Sequence, residues 1–260
     1  MPVFTPDQVI ELIETARTVE ERAQSLIESY GSRKYNSAKA EEYSVHGFCR
    51  RLGTLRHCIQ TIYAVLPPDF EGLPEKALRE TITIHVQAFV FNVFGALDNL
   101  AFVWVYERNI VGANKRPLPN GRIGLTADKD HVRQSFPAEF QRLLQDTDEW
   151  FGYLEAFRHS LGHRIPLYIP PFTISPEKVE EYQKLEHQAR EALMRYDFEG
   201  HARLQRERDG LCSFRPWMQH SLNTDRSPVV FHAQVLADFA TVELLGQRML
   251  GALDCTQKNG

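Results

Sequence analysis

The sequence predicts an all-α antiparallel helical bundle, and three observations carry that prediction. Apolar residues recur at helical spacing along most of the chain, as in Val9, Ile10, Leu12, Ile13 and Ala16. Proline and glycine interrupt these runs where a helix would start or stop. Alternation of the kind a half-buried strand needs is nearly absent. With 260 residues and 43% hydrophobic content, the chain can bury a sizeable core and reads as one helical domain over 1–260.

The elements follow in order. Thr5-Pro6-Asp7 is a helix start with proline at the first helical position, and the apolar period continues to about Tyr30, where Gly31-Ser32 ends it. A second helix is expected over 38–65, closed by Pro67-Pro68, and a third over 74–111, long enough to cross the domain. Its most apolar stretch, 88–105, carries Asn92, Asp98 and Asn99, so it reads as a buried helix and not a membrane span. The segment 112–130, rich in Gly, Pro and Asn, is the one long irregular connection. Further helices are expected at 130–145, 147–162, 176–208 and 227–253, with the long second and third helices as the antiparallel centre. Helix 176–208 carries Glu180, Glu181, Lys184, Glu186 and Arg190 on most sides, which suits a protruding arm, a partner surface or a solvated face laced with ion pairs.

Composition narrows the function classes. A formal charge of −4 and a pI near 6.2 give no global attraction to nucleic acid or an anionic membrane, so contact with RNA must come from a local patch. Cys49, Cys58, Cys212 and Cys255 form no CxxC pair and read as structural thiols of a reducing cytoplasm. The N-terminus lacks the basic and apolar regions of a signal peptide. No phosphate-binding Gly-rich loop, nucleophile elbow or dinucleotide fingerprint occurs. Trp104, Trp150, Trp217, Phe89, Phe91, Phe94 and Phe102 are not interleaved with Lys or Arg and read as core and helix-contact aromatics, and no cofactor is indicated.

The densest chemistry lies in Glu155-Ala-Phe-Arg-His-Ser-Leu-Gly-His-Arg-Ile-Pro, where Arg158, His159, His163 and Arg164 gather as a helix must stop. Pro166 opposes continuation, and Pro170-Pro171 forces an extended exit. Arg158 and His163 fit Arg-x4-His, a pattern that is noise by itself, since Arg51 to His57, Arg79 to His85, Arg195 to His201, Arg215 to His220 and Arg226 to His232 also lie at permitted spacings. Context separates Arg158 from these: an aromatic before it, a polar residue after it, a small residue before His163 and a helix end just beyond.

In that context the segment from Phe157 to Pro166 resembles the motif of the HEPN superfamily of helical ribonucleases and nucleic-acid-associated domains. Ala96-Leu-Asp-Asn-Leu-Ala101 resembles the buried acidic-amide turn that some members set opposite that motif. The resemblance covers these two elements and the helical order. It implies metal-independent RNA cleavage, with arginine and histidine of two protomers meeting across a homodimer cleft; many members serve instead as binding or scaffolding modules with a protein partner.

The residues suit that chemistry. A histidine moves protons near pH 7, and a forked guanidinium suits charge developing on a phosphorane. Arg158 and His163 are thus the expected catalytic pair, with His159, Arg164, Asp98 and Asn99 around them in RNA contact or orientation. Positions five apart on an ideal helix diverge by about 140°, so convergence needs a loosened turn at Gly162 or two chains. A rival metal hydrolase would use Glu155, His159 and His163 at i, i+4 and i+8, with His85 or Asp98 recruited from the third helix. In the bland alternative, Arg158 and His163 cap carbonyls at the helix end and pair with Glu155 or Asp98. On the third helix, His85, Asn92 and Asn99 recur every seven residues, as buried polar groups that satisfy one another would.

Overall fold

The sequence begins to fold at Thr5, whose hydroxyl accepts from the Gln8 N–H while the Gln8 side chain accepts from the Thr5 N–H. This reciprocal cap satisfies two amides that the first turn of α1 (Pro6–Ser32) would otherwise leave free. The computed structural model describes residues 3–113, 115–163, 165–219 and 228–255, and the His163 side chain lies outside that description. After α1 come α2 (Ala38–Glu41), a π-helical turn (Glu42–Phe48) and α3 (Cys49–Val65), in one unbroken helical rod. The long α4 (Lys76–Glu107) returns antiparallel to α3. Then follow α5 (Asp130–Arg133), α6 (Ala138–Asp146), α7 (Asp148–His163), α8 (Val179–Met194), α9 (Phe198–Asp209) and α10 (Phe231–Cys255). The described chain is an all-α bundle, as expected, with two short antiparallel strand pairs added: β1 (Thr173–Ile174) with β2 (Cys212–Ser213), and β3 (Trp217–Met218) with β4 (Val229–Val230).

Three expected boundaries are corrected. Helix 176–208 is two helices: Tyr196 turns the chain with φ of +61°, and Asp197 caps α9 by accepting from the Gly200 N–H at 2.9 Å. The resulting α8–α9 hairpin packs mainly on itself through Ala189 and Ala192, in place of a single charged rod. Helix 130–145 breaks before Ala138, because Pro137 starts a new helix better than it continues the old one. The 38–65 helix is π-helical over its middle.

Helix α4 is the centre of the core. It is long and apolar enough by composition to cross a membrane, yet here side chains from Ile82 to Glu107 are buried by α3, α10, α7 and α2. Leu52, Leu55, Ile59 and Ile62 of α3 are fully buried, each stabilising by roughly 1.5–3 kcal/mol. Gly246 of α10 approaches so closely that a side chain there would meet Leu26 and Phe48 at 3.0 Å, while its carbonyl accepts from Tyr30 at 2.8 Å. Cys49 and Cys58 are buried free thiols, pushed up to about 11 by desolvation.

Polar pins hold the ends. Buried Glu107 accepts from the N–H groups of Asn36 and Ser37, fixing the chain where α2 begins. Arg108 donates to the carbonyls of Ala252 and Leu253, and Arg33 also donates to Leu253, so cations close the C-terminal end of α10. Arg133 donates to Leu125 O, Leu144 O and the Asp148 carboxylate, tying the long connection to the start of α7. That tie sets the axis along which Arg158 is presented.

Two buried titratable groups pull stability in opposite directions with pH. Burial pushes Asp238 up to about 6, against hydrogen bonds from Trp150 and Gln234 that favour its charged form. Burial pushes His232 down to about 4, although its Nε2 bonds the Leu66 carbonyl at 2.6 Å. A raised carboxyl contributes stability at low pH that is lost as pH rises through 6; a depressed histidine contributes stability above about 6.5 that is lost as pH falls towards 4. Asp238→Asn should therefore raise thermal stability at pH 8 by an amount on the order of 3 kcal/mol, with the gain shrinking to near zero at pH 4. Paired melting curves across that range read it directly; a gain independent of pH would contradict a buried charge.

Candidate functional site

Helix geometry sorts the polar residues of α4 into two flanks. Taking Gly95 as the middle of one face, Asn92 and Asn99 fall within about 60° on one side, and Asp98 and Phe94 about 60° to 100° on the other. The first flank meets α3 and the second meets α7. An arginine reaches each.

Arg51 of α3 lies on the first flank. Its Nε donates to Asn99 Oδ1 at 2.9 Å and its Nη1 to Asn92 Oδ1 at 3.1 Å, so two amides one heptad apart clamp one guanidinium. The seat exists because residue 95 is glycine: any Cβ there would collide with the guanidinium. Gly47 makes a similar approach, since a Cβ would stand 2.8 Å from the Asn99 carboxamide. One turn pair further along the same stripe, His85 meets His57 edge to face at 5.7 Å, and burial lowers the His85 pKa, aided by His57.

Arg158 of α7 occupies the second flank. Its guanidinium stands 4.2 Å from the centroid of Phe94, a cation–π contact worth about 0.5–1 kcal/mol at an exposed site. The side chain is exposed, and no hydrogen bond from it to a helix-end carbonyl occurs among the described residues. Asp98 lies between the two arginines. Partial burial raises its pKa, and Arg158, Arg51 and Lys129 act in the opposite direction, Arg158 most strongly. Asp98 thus feels both flanks, although among the described residues neither arginine is within ion-pairing distance of it.

The structure therefore sets Asp98 and Arg158 towards one flank of α4, and Asn99 with Arg51 on the other. His159 and Glu155 are exposed on α7. The His163 side chain and Arg164 lie outside the described residues. Helix α7 stays α-helical through His163 with no loosening at Gly162, so the positions of Arg158 and His163 diverge by about 140° within one chain. Among the described residues, no group of three or more His, Cys, Asp or Glu side chains is gathered as a metal ion would require. In two of the other Arg-to-His spacings one member is engaged locally, since Arg79 donates to Pro74 O and His201 Nδ1 bonds Ala189 O, while His220 and Arg226 lie outside the described residues.

Sequence reading missed Arg51, which stood only among the noise matches. The signal was Gly95, a glycine midway between two amides on the third helix, where close approach of another chain is the usual cause. Phe91 also departs from expectation, standing 43% exposed beside Ile84 at 64% on the same face of α4. Phe102, partly buried against the core, stacks on Tyr43 at 4.4 Å, a contact between helices as expected.

An all-α bundle with a two-arginine polar face on its central helix is the class that this fold and site define. No family model, curated protein or solved structure matches the chain.

The glycine seat gives a paired test. Gly95→Ala should displace Arg51 and cost about 1 kcal/mol in urea unfolding, the scale of a lost hydrogen bond, despite the better helix propensity of alanine. Gly152→Ala in α7, where a Cβ meets nothing within 4 Å, should instead stabilise by roughly 0.5–1 kcal/mol. Equal and stabilising shifts at both positions would show that the Arg51 seat carries no energy.

Proposed function

We propose that the chain acts on RNA as a metal-independent endoribonuclease of HEPN type, with Arg158 and His163 meeting across a homodimer cleft. The observation that carries this reading is the state of Arg158: exposed, stacked over Phe94, and not spent on helix-end carbonyls among the described residues. A helix-capping arginine would be neither. Held this way, the guanidinium is free to fork onto a phosphodiester and to stabilise charge as the phosphorane forms. Histidine of the partner would take the proton from the 2′-hydroxyl or give one to the leaving oxygen. Asp98 positions Arg158 through its charge and does not touch the reacting atoms. His159 and Arg164 are the further residues assigned to contact with the RNA backbone.

Dimerisation supplies what one chain lacks. The straight α7 keeps Arg158 and His163 apart, so the pair is assembled only when a second copy brings its own helix end alongside. Ile84 and Phe91, exposed on α4, are apolar surface that a second copy would cover.

The experiment is cleavage of single-stranded RNA by purified protein in EDTA, with light scattering alongside. Arg158→Ala and His163→Ala should each lower the rate about a hundredfold or more while helical circular dichroism is retained. Arg215→Ala, on a bare-pattern match, should leave the rate unchanged. Mixing the two inactive variants should restore part of the activity, because one of the two clefts in a mixed dimer is then intact. Wild type that binds RNA without cutting it would reduce the assignment to a binding module, and a monomer at tens of micromolar would remove the composite site.

A further inference from the structure

A second feature lies on the α3 side of α4, away from Arg158. The π-helical turn, α3 and α4 enclose a polar cleft of about 650 Å³. Its cations are Lys39, Arg50 and Arg51, with Glu42 as the single carboxylate among its lining residues. No carboxylate pairs with any of the three cations among the described residues. Three positive side chains against one lining carboxylate, none of them ion-paired among the described residues and on a chain of net charge −4, are an electrostatic cost that an anion would relieve.

The cations are also arranged in advance. Arg51 is clamped by Asn92 and Asn99, which accept from Nε and Nη1 and leave Nη2 for an outside acceptor. Arg50 Nη2 lies 3.2 Å from His46 Nδ1; arginine can only donate, so this histidine nitrogen accepts and Nε2 carries the proton as a further donor. Lys39 is held with its ammonium 5.1 Å from the centroid of Tyr106. At this end the cleft is aromatic. Tyr43 is stacked on Phe102 with 9° between planes and lies 5.6 Å from Tyr106. Asn99 and Tyr106 are seven residues apart on α4, or about 10 Å along its axis, which places a phosphate-binding end and a ring-binding end at opposite ends of one slot.

We propose that this cleft binds a nucleotide, its phosphate on Arg50 and Arg51 and its base against Tyr43 and Tyr106, beside Lys39. Glu42 lies where a carboxylate can accept from ribose hydroxyls. The π-helical turn makes the arrangement possible, because its wider backbone presses Gly47 onto Asn99 while directing Tyr43 and His46 to the same cleft. The nucleotide is either free or one unit of a single-stranded RNA. The chemistry of recognition is the same for both.

Calorimetric titration of the full chain with adenosine monophosphate, adenosine, inorganic phosphate and a single-stranded RNA decamer tests this. The monophosphate should bind at least tenfold more tightly than adenosine or phosphate, and more weakly as salt rises. Lys39→Ala and Arg50→Ala, both exposed, should each lower that affinity about tenfold without altering the melting temperature; Arg51→Gln should lower it further, and Arg215→Ala should not. If the monophosphate does not bind alone but the decamer does, with the same sensitivity to these variants, the source is the polymer; if the monophosphate binds and the decamer does not compete, it is the free nucleotide. Affinity unaffected by Lys39→Ala and Arg50→Ala, or no binding of either probe, overturns the proposal. These outcomes are separate from cleavage at Arg158, so a protein that binds nucleotide without cutting RNA would fail only the preceding reading.

Discussion

The constraint on which the rest of the molecule depends is the need to cover α4. A 32-residue helix that is apolar on most of its circumference cannot be left against water, so α3, α10, α2 and α7 are positioned first as its cover. What α4 leaves uncovered is as informative as what it buries. Its open face is narrow, runs over Ile84, Phe91 and Gly95, and has an arginine arriving from each side. Both candidate sites are consequences of the same helix: one where α7 crosses it, the other where α3 and the π-helical turn lie along it.

The polar groups near α4 fall into two kinds. Glu107 is fully employed by backbone amides of the preceding connection and serves the fold. Asp98 and Arg51 are incompletely employed, since Asp98 has charges nearby without an ion pair and Arg51 has amide partners without a carboxylate. Desolvated polar groups that keep unused capacity are expensive to maintain, and in a helical bundle they mark where something else is meant to bind.

Much of the fold was legible because its signals are local. The Thr5-Pro6-Asp7 start, the proline pair at 67–68 and the apolar run of α4 are signals carried by neighbouring residues, and the corresponding helices stand where they were expected. The split at Tyr196 was not legible, because a tyrosine with positive φ is imposed by the packing of α8 on α9 and no turn residue announces it. The site divides in the same way. Asp98 and Arg158 were singled out from the motif and the family resemblance, and in the structure α7 sets Arg158 over Phe94 of α4, with Asp98 near enough to feel its charge. Arg51 was invisible because its importance comes from a contact made across helices; only the glycine beneath it left a trace in the sequence.

The π-helical turn at Glu42–Phe48 has a consequence for how this surface can change over generations. Such a turn holds a residue more than the α-helical ladder around it. Loss of a single residue from that stretch would let the helix relax to ordinary pitch and would swing Lys39 by about 100° around the rod relative to Arg50 and Arg51. The apolar face of α3 would still meet α4, but Glu107 would no longer find Asn36 and Ser37 in register. The cleft is therefore encoded partly as a length. Every residue that lines it can be retained while the surface they form together is dismantled by one deletion.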